Sequence, residues 1–279
     1  MRTAPRVMIT GGMGQLGRSL ASLLGSLYGR DSVLLTDICK YSPGAEKTST
    51  PATATTTPYR YLNILDRRAL DEVVVNENVG TLVHFSALLS AVAEQNVDLA
   101  LEVNCHGVEN VLGVAKNHKL KVFIPSTIGV FGTTTPRHFT PDVTVQRPKT
   151  IYGVSKVYGE LLGDYFHERY GVDFRSLRLP GIISDVQPGG GTTDYAIQMF
   201  YDALTSGKHK CYLRPDTQMP MMYGEDCMAG IVNVSGGVGV EVFKNLNIFK
   251  YSVPQRPFGR TLHANVQYHK LLLHLTAAG

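Results

Sequence analysis

A glycine-rich turn near the start of the chain restricts the possible folds more than any other feature. The segment Thr10–Gly17, TGGMGQLG, follows a short apolar run, and leucines then recur at helical spacing. This order predicts a strand over residues 6–10, a tight turn and a helix. Gly11, Gly14 and Gly17 suit a sharp bend, a close approach of backbone to a pyrophosphate, and contact between helix and strand. The turn therefore predicts a dinucleotide site.

The residues after this turn predict how a dinucleotide would bind. Gln15 and Leu16 open the helix, whose free N–H groups would face the phosphates. Asp37 follows a second apolar run, Val33–Thr36, and lies twenty residues after Gly17. A carboxylate at this place accepts hydrogen bonds from a ribose diol. Its charge would repel a 2′-phosphate, so Asp37 predicts NAD rather than NADP as the cofactor.

Apolar runs and helical patterns alternate along the first 179 residues. Runs occur at 59–64, 81–85, 122–125 and 174–179, and helices are predicted over 97–117 and 151–170. Apolar runs without strict alternation are typical of a parallel sheet that is covered on both faces. We therefore expect an α/β fold: a Rossmann-type doubly wound parallel sheet over residues 1–179, followed by a small substrate-binding or cap region over 180–279. A helix is expected at 195–204, and the Thr-, Ala- and Pro-rich segment 42–58 predicts a surface loop.

Composition and charge exclude several classes of protein. With 43% hydrophobic and 18% charged residues, the chain is typical of a globular protein, and it has no apolar run long enough to span a membrane. Residues 228–279 hold five Lys or Arg and one acidic residue, so the formal charge of +4 lies there and the preceding residues are balanced. A neutral body argues against nucleic-acid binding. The four cysteines are widely spaced, which predicts reduced thiols and no metal site.

A second set of residues predicts proton transfer. Tyr152 and Lys156 are four residues apart, so they would share one helix face and reach one ligand. A nearby ammonium favours the phenolate, and we expect it to lower the pKa of Tyr152 toward a value useful for a general base. Thr127, with Ser126 beside it, would hydrogen-bond the substrate oxygen. This spacing is common by chance, but the glycine turn favours the catalytic interpretation. His84 is expected to pack in the core.

Several motifs together resemble the extended short-chain dehydrogenase/reductases and, within them, the L-threonine 3-dehydrogenases of the short-chain type. The resemblance covers about residues 6–227. The motifs that carry it are Thr10–Gly17, Asn63–Asp66, His84–Ala91, Pro125–Gly129, Gln146–Lys156, Gly189–Ala196 and Met219–Tyr223.

The resemblance implies NAD-dependent oxidation of the 3-hydroxyl of L-threonine to 2-amino-3-oxobutanoate, without a metal ion. The residue that matches Tyr152 is the base in this family, the one that matches Lys156 holds the nicotinamide ribose, and the one that matches Thr127 binds the reacting hydroxyl. The resemblance also implies cofactor contacts at three further residues: Asp66 at the adenine edge, Ala87 along the cofactor, and Ile182 at the nicotinamide face.

Five residues are candidates to bind the charged groups of the amino acid. They are Ser86, Ser90, Thr192, Thr193 and Asp194. Asp194 would pair with the ammonium group, and hydroxyls and backbone N–H groups would bind the carboxylate. Asp194 is equally suited to cap the helix that follows it.

Residues 228–279 depart from the family pattern, which leaves three hypotheses open. The tail is either a frameshifted or truncated sequence or a divergent cap. The three hypotheses concern function. The first is an active dehydrogenase, and the second is a nucleotide-sugar epimerase or dehydratase of the same superfamily. The third is a pseudoenzyme that binds NAD but has a defective cap. The resemblance further implies a homodimer that forms through helices such as 97–117 and 151–170. It also implies a mitochondrial location, with the cytoplasm as the alternative because no presequence is visible.

Overall fold

A computed structural model of the chain describes residues 6–39, 57–136, 140–184, 191–211, 213–214, 217–236, 246–247 and 253–254. Most of the predicted loop at 42–58, the glycines at 189–190 and most of the atypical tail lie outside the described residues.

The described residues form strands and helices in the predicted alternation. The strands are β1 (Arg6–Thr10), β2 (Val33–Asp37), β3 (Tyr59–Tyr61), β4 (Val79–His84), β5 (Lys121–Phe123), β6 (Ser126–Thr127), β7 (Asp173–Arg175), β8 (Leu177–Leu179), β9 (Gly181–Ile183), β10 (Gln218–Met219), β11 (Met221–Tyr223), β12 (Leu246–Asn247) and β13 (Val253–Pro254). The α-helices are α1 (Gln15–Tyr28), α2 (Arg67–Asn76), α3 (Ser90–Gln95), α4 (Val97–Leu101), α5 (Gly107–His118), α6 (Ile151–Tyr170), α7 (Tyr195–Ser206) and α8 (Gly224–Gly236).

The central sheet is parallel and has the strand order β3-β2-β1-β4-β5-β7. The chain therefore runs outward from β1 in one direction through β2 and β3, and in the other through β4, β5 and β7. This order confirms the Rossmann-type doubly wound prediction. In open α/β sheets, ligands bind at the carboxyl ends of the strands where the order reverses, which is here between β1 and β4.

Apolar side chains cover both faces of this sheet, as expected for parallel strands. On one face, helices α2, α5 and α6 pack over buried residues that include Leu82, Leu112 and Phe174. On the other face, α1 and α8 contribute to a second cluster, in which Ile231 of α8 is fully buried. Helix α8 thus packs on the nucleotide-binding layer, although it follows residue 179 in the chain. The division at that residue stays a prediction.

Short strands extend the sheet toward the predicted site. Strands β6, β8 and β12 form a three-stranded sheet in the order β12-β8-β6, and β9 pairs in parallel with β11. Because β6 follows β5 after a break of two residues, the chain continues beyond the carboxyl end of the central sheet. These extensions carry Ser126, Thr127 and Ile182. No helix in the described ranges is long and apolar enough to cross a membrane.

The helix predicted over 97–117 differs from the observed structure in one respect. Helices α4 and α5 are joined by a π-helical turn at Glu102–His106. Asn104 in this turn is buried, its side-chain oxygen accepts a hydrogen bond from the Leu88 N–H at 2.8 Å, and its amide donates to the Leu88 carbonyl oxygen at 3.0 Å. Such π turns within helices occur frequently at functional sites.

Candidate functional site

The glycine turn brings three parts of the backbone into close contact. Gly11 has a φ of +65°, and a Cβ atom there would lie 2.7 Å from the backbone nitrogen of Ser86, in the segment after β4. A Cβ atom at Gly17 would lie 2.6 Å from the Gly11 carbonyl oxygen. Since real Cβ atoms do not approach other atoms so closely, only glycine fits at either position. The turn is therefore a cradle whose walls are backbone.

Helix α1 begins directly at this cradle. Gly14 is its N-cap residue, and Gln15 and Leu16 are its first two residues. The N–H groups of a first helical turn have no partners within the helix, so they are available to an anion. The Gln15 side chain donates a hydrogen bond to the Ser184 hydroxyl at 2.5 Å. Ser184 directly follows β9, which carries Ile182, so the structure brings these predicted cofactor residues to one rim.

Asp37 lies at the carboxyl end of β2 and faces the same cradle. One carboxylate oxygen accepts a hydrogen bond from the Met13 N–H at 3.0 Å, and the other accepts from the Cys39 N–H at 3.1 Å. The side chain is half-buried, and its carboxylate is fixed beside the glycine turn. A backbone cradle, a free helix N-terminus and a fixed carboxylate are the groups that a dinucleotide requires, so the residues fit NAD.

Asp66 and Ala87 occupy different surroundings. Asp66 is exposed and caps helix α2, because its carboxylate accepts a hydrogen bond from the Ala69 N–H at 2.9 Å. This structural role accounts for the residue without a cofactor, so its contact with adenine stays a prediction. Ala87 lies between Ser86 and Leu88, in the segment that Asn104 holds by both backbone groups of Leu88.

Helix α6 presents Tyr152 to the turn that follows β6. Thr150 is the N-cap residue, and its hydroxyl accepts a hydrogen bond from the Gly153 N–H at 3.1 Å. A Cβ atom at Gly153 would lie 2.4 Å from the Gly129 carbonyl oxygen, so the helix approaches this turn as closely as its backbone allows. The Thr127 hydroxyl also accepts a hydrogen bond from the Gly129 N–H at 3.1 Å. Tyr152 and Thr127 are thus brought together, as the sequence predicts.

The protonation of Tyr152 and Lys156 differs from the expectation. Burial raises the pKa of Tyr152 to about 12, and the hydrogen bond with Thr127 offsets this rise only in part. Burial also lowers the pKa of Lys156 to about 8, against the opposing effect of the Glu160 charge. The predicted net fall in the pKa of Tyr152 is therefore wrong for this arrangement. Desolvation dominates, and the ammonium donates its hydrogen bond to the Pro125 carbonyl oxygen at 2.9 Å.

Ser126 does not face the same way as Thr127. It is buried, and its hydroxyl donates a short hydrogen bond to the carboxylate of Glu160. Alternate residues of a strand point to opposite sides, so Thr127 reaches the Tyr152 side while Ser126 points into the protein. Direct contact between Ser126 and a substrate therefore stays a prediction, and its hydroxyl has a partner inside the fold.

His84 is a buried core residue, and this confirms the sequence prediction. Its Nδ1 atom lies 2.8 Å from the Thr10 hydroxyl oxygen. Burial and, to a smaller extent, the positive charge of Lys156 lower the pKa of His84 to about 3. The imidazole is therefore neutral at physiological pH. A small cavity next to it is lined by residues of β4, β6 and α6, among them Ser86, Ser126 and Lys156.

The predicted substrate residues lie at several places around this site. Ser86 lines the cavity, and Ser90 is half-buried at the first position of α3. Thr193 packs against the start of β9, because a Cβ atom at Gly181 would lie 2.8 Å from its Cβ atom, whereas Thr192 is exposed. Asp194 is at the N-cap position of α7, but its side chain makes no capping bond to that helix and instead accepts from the Gly191 N–H at 2.7 Å.

Three buried polar residues near the site were not identified from the sequence. They are Asn104, Glu160 and Arg178. Glu160 lies four residues after Lys156, on the same helix face, and Arg178 interrupts an apolar strand. A charge inside a buried strand signals a paired charge elsewhere, and this signal was present in the sequence. Among the described residues, no group of three or more His, Cys, Asp or Glu side chains is arranged to hold a metal ion.

Comparisons with known proteins show which family the sequence matches. Residues 7–238 match the family described as the NAD dependent epimerase/dehydratase family. The chain is 55% identical over 231 residues to a pig protein named L-threonine 3-dehydrogenase, mitochondrial, and 54% identical over 230 residues to the cattle protein of the same name. These alignments cover 82% of this chain and 60% of each relative. The chain thus spans about 60% of the length of these relatives.

A solved structure also resembles the chain. The crystal structure of L-threonine dehydrogenase from Phytophthora infestans is 42% identical, with a TM-score of 0.80 over 90% of this chain and 78% of that protein. A structure of UDP-glucose 4-epimerase shares the fold at only 18% sequence identity. The 42% identity with the threonine dehydrogenase is therefore more than the shared fold requires.

Proposed function

The chain belongs to the NAD dependent epimerase/dehydratase family, and from this premise we propose that it is an NAD-dependent dehydrogenase that oxidises the 3-hydroxyl of L-threonine to 2-amino-3-oxobutanoate. NAD is the cofactor of the family. The names of the pig and cattle relatives support threonine as the substrate.

One observation carries the proposal. The Thr127 hydroxyl hydrogen-bonds the Tyr152 phenol, and the Lys156 ammonium lies 5.6 Å from the centroid of the Tyr152 ring. Lys156 also lines the same cavity as Ser86, whose backbone contacts the glycine cradle. A hydroxyl that orients an alcohol, a phenol that accepts its proton and a cation that favours the resulting phenolate are the groups that alcohol oxidation needs.

Each side chain has a defined part in the reaction. NAD, which the glycine turn and Asp37 would hold, would supply the acceptor for the hydride. Thr127 donates or accepts a hydrogen bond at the substrate hydroxyl and so orients it toward Tyr152. Tyr152 accepts the hydroxyl proton, and Lys156 stabilises negative charge on the phenol oxygen. Because the pKa of Tyr152 is raised to about 12, chiefly by burial, this base depends on nearby positive charge.

The amino acid's own charges are assigned to the segment around β9 and α7. Asp194 would pair with the ammonium group of threonine, and Thr192, Thr193, Ser86 and Ser90 would offer hydroxyls to its carboxylate. Support comes from Thr193, which packs on Gly181 next to the strand that carries Ile182. Replacing Asp194 with Asn would raise the KM for threonine and leave the affinity for NAD unchanged.

The apolar surface of α4 and α6 supports a homodimer. The two helices contact each other and expose several apolar side chains, including Val97, Leu101, Leu161 and Tyr165. Adjacent exposed apolar residues are a feature of interaction surfaces. Light scattering would give twice the mass of one chain for the parent protein and the mass of one chain for Leu161→Asp. A parent protein with the mass of one chain would contradict this assignment.

A mitochondrial location is proposed from the names of the pig and cattle relatives. Cell fractionation with an antibody against the protein would test it. Recovery in the cytosolic fraction would contradict the assignment.

The substrate is tested by parallel assays of purified protein. With NAD and L-threonine, we expect NADH release and a trapped aminoketone product. With a UDP-sugar, we expect no turnover. Sugar epimerisation without net NADH would favour the nucleotide-sugar alternative, and NAD binding without any turnover would favour a pseudoenzyme.

A further inference from the structure

A buried ion pair joins helix α6 to strand β8 next to Lys156. Glu160 lies one helical turn after Lys156, and its two carboxylate oxygens accept hydrogen bonds from the Arg178 guanidinium at 2.9 and 2.7 Å. The two side chains are 2% and 6% exposed. A bidentate pair of this kind fixes relative orientation as well as charge. It therefore holds α6 in one position against β8.

Both members of the pair have further partners. Glu160 also accepts hydrogen bonds from the Ser126 hydroxyl and from the Gln146 amide, the latter at 2.8 Å. Arg178 donates to the Asp142 carbonyl oxygen at 2.7 Å. Buried charges with several hydrogen bonds form rigid networks, in which each member limits the movement of the others. This network, the Glu160 cluster, connects β6, β8, α6 and the segment 142–146.

The Glu160 cluster touches both elements that supply the proposed reacting groups. Ser126 directly precedes Thr127 in β6, and it pairs with Arg178 in the register of β6 and β8. Tyr152 lies on the same helix as Glu160. The contacts of the cluster thus join, from inside the protein, the strand that carries Thr127 and the helix that carries Tyr152.

We propose that Glu160 and Arg178 are positioning residues, which lock the strand of Thr127 against helix α6 and balance the charge that keeps Lys156 an ammonium. The inference rests on the proposed dehydrogenase function. Neither residue is one of those assigned above to substrate or cofactor.

The electrostatic part follows from the charged groups around Lys156. Among the described residues, Glu160 on α6 and His84 on β4 interact with its charge, Tyr152 lies on its own helix, and Arg178 balances Glu160 from β8. His84 is neutral, since its pKa is about 3. Glu160 therefore supplies the negative charge that raises the pKa of Lys156 against the effect of burial.

Two substitutions should act in opposite directions on Lys156. Glu160→Gln removes the negative charge and leaves Arg178, so the pKa of Lys156 should fall below its value of about 8. Arg178→Gln leaves the carboxylate unbalanced, so the pKa of Lys156 should rise. General loss of structure would not produce shifts of opposite sign.

The test is an NMR titration of ¹⁵N-labelled lysine side chains, combined with kinetics on the same samples. We expect the Lys156 midpoint to move down in Glu160→Gln and up in Arg178→Gln. We also expect kcat to fall about tenfold or more in both, with the KM values for NAD and threonine changed less than about threefold. The pH profile of kcat should shift with the midpoint.

Asp173→Asn is the matched control. It removes the carboxylate that pairs with Arg175 at 2.7 Å on the neighbouring strand β7, where Arg175 is also largely buried. This variant should lose thermal stability but keep the Lys156 midpoint and kcat. Midpoints that do not move, or that move in one direction in both cluster variants, with a loss of kcat no larger than in Asp173→Asn, would overturn the proposal.

A third variant covers the case in which a charge variant fails to fold. Ser126→Ala keeps both charges and removes one bond of the cluster. It should lower kcat, with the KM for threonine and the Lys156 midpoint unchanged. A raised KM with an unchanged kcat would mean that Ser126 binds substrate directly and would overturn the positioning role. The titration of Lys156 does not require an active enzyme, so it tests the Glu160 cluster even if the parent protein forms no NADH. Absence of NADH formation would refute the proposed dehydrogenase function instead.

Discussion

The Lys156 ammonium nitrogen lies 5.6 Å from the centroid of the Tyr152 ring, and both side chains belong to the first two turns of helix α6. The ammonium does not hydrogen-bond the phenol and instead donates to the Pro125 carbonyl oxygen at 2.9 Å. This arrangement keeps a positive charge near the phenol while leaving the phenol oxygen beside Thr127. The proposed chemistry requires both features: a nearby ammonium and a phenol oxygen that the ammonium does not hydrogen-bond.

The close approach of helix α6 to the Gly129 turn gives a first prediction. In Gly153→Ala the new methyl group would lie 2.4 Å from the Gly129 carbonyl oxygen, so the helix must move away from Thr127. We expect kcat to fall by about tenfold to a hundredfold, because small displacements of reacting groups are costly. Steady-state kinetics of NADH formation measure this.

Gly159→Ala is the control on the same helix. A Cβ atom at that position has nothing within 4 Å, so the variant should keep its activity and gain up to about 1 kcal/mol of stability. Equal activity in the two alanine variants would show that the approach of α6 does not control the reaction.

Asp37 predicts the preference for NAD. Loss of a hydrogen bond to a charged group costs about 1.5–3 kcal/mol, so Asp37→Ala should weaken NAD binding by about tenfold or more and change NADP binding much less. Asp31→Ala is the control, because Asp31 precedes the amino end of β2, opposite the site. Calorimetric titration with both nucleotides measures the two affinities. An unchanged ratio of NAD to NADP affinity would remove Asp37 from the cofactor site.

His84 predicts how stability depends on pH. Its pKa is 6.5 when unperturbed and about 3 in the fold, so the unfolded chain binds the proton more tightly. The contribution of the neutral imidazole is complete above pH 6.5 and is lost as pH falls from there toward 3. Between pH 8 and pH 5 this loss is about 2 kcal/mol.

Urea denaturation at the two pH values tests the His84 prediction. His84→Gln, which does not titrate, should lose less stability between them than the parent protein does. His106→Gln, at an exposed position, should behave like the parent. The same pH dependence in the parent and in His84→Gln would contradict the assignment.

Helix α8 predicts a structural role for residues beyond the first 223. Ile231 is fully buried with residues of β1 and α1, so Ile231→Ala should lower the free energy of unfolding by about 2–5 kcal/mol. Leu204→Ala on α7, where the side chain is 69% exposed, should change it by about 0.5 kcal/mol or less. Thermal or urea denaturation compares the two. A neutral Ile231→Ala would mean that α8 does not pack as described.

The fold was predictable because its signals are local. The turn at Thr10–Gly17, the carboxylate of Asp37 and the four-residue spacing of Tyr152 and Lys156 are all legible in the sequence, and the structure has them on a strand end, a turn and a helix face. Their order along the chain also indicates a parallel sheet, because each strand is followed by a helical pattern.

The remaining features depend on packing that no local pattern encodes. The direction of the Tyr152 pKa shift follows from how much protein surrounds the phenol. The inward turn of the Ser126 hydroxyl depends on Glu160, which is 34 residues away in the chain. The pairing of Arg178 with Glu160 was equally unpredictable from local sequence, although a charged residue within an apolar strand indicates that it has a buried partner of opposite charge.

The central claim is that the Tyr152 phenol accepts the proton of the threonine hydroxyl. The most direct test is NADH formation by the parent protein, Tyr152→Phe and Tyr158→Phe under saturating NAD and L-threonine, with NAD affinity measured on the same samples. Tyr158 is the control because it is on the same helix and its hydroxyl bonds Glu109 at 2.6 Å. We predict NADH from the parent and Tyr158→Phe, a loss of at least about a hundredfold in Tyr152→Phe, and similar NAD affinity in all three. Undiminished NADH formation by Tyr152→Phe would contradict the account.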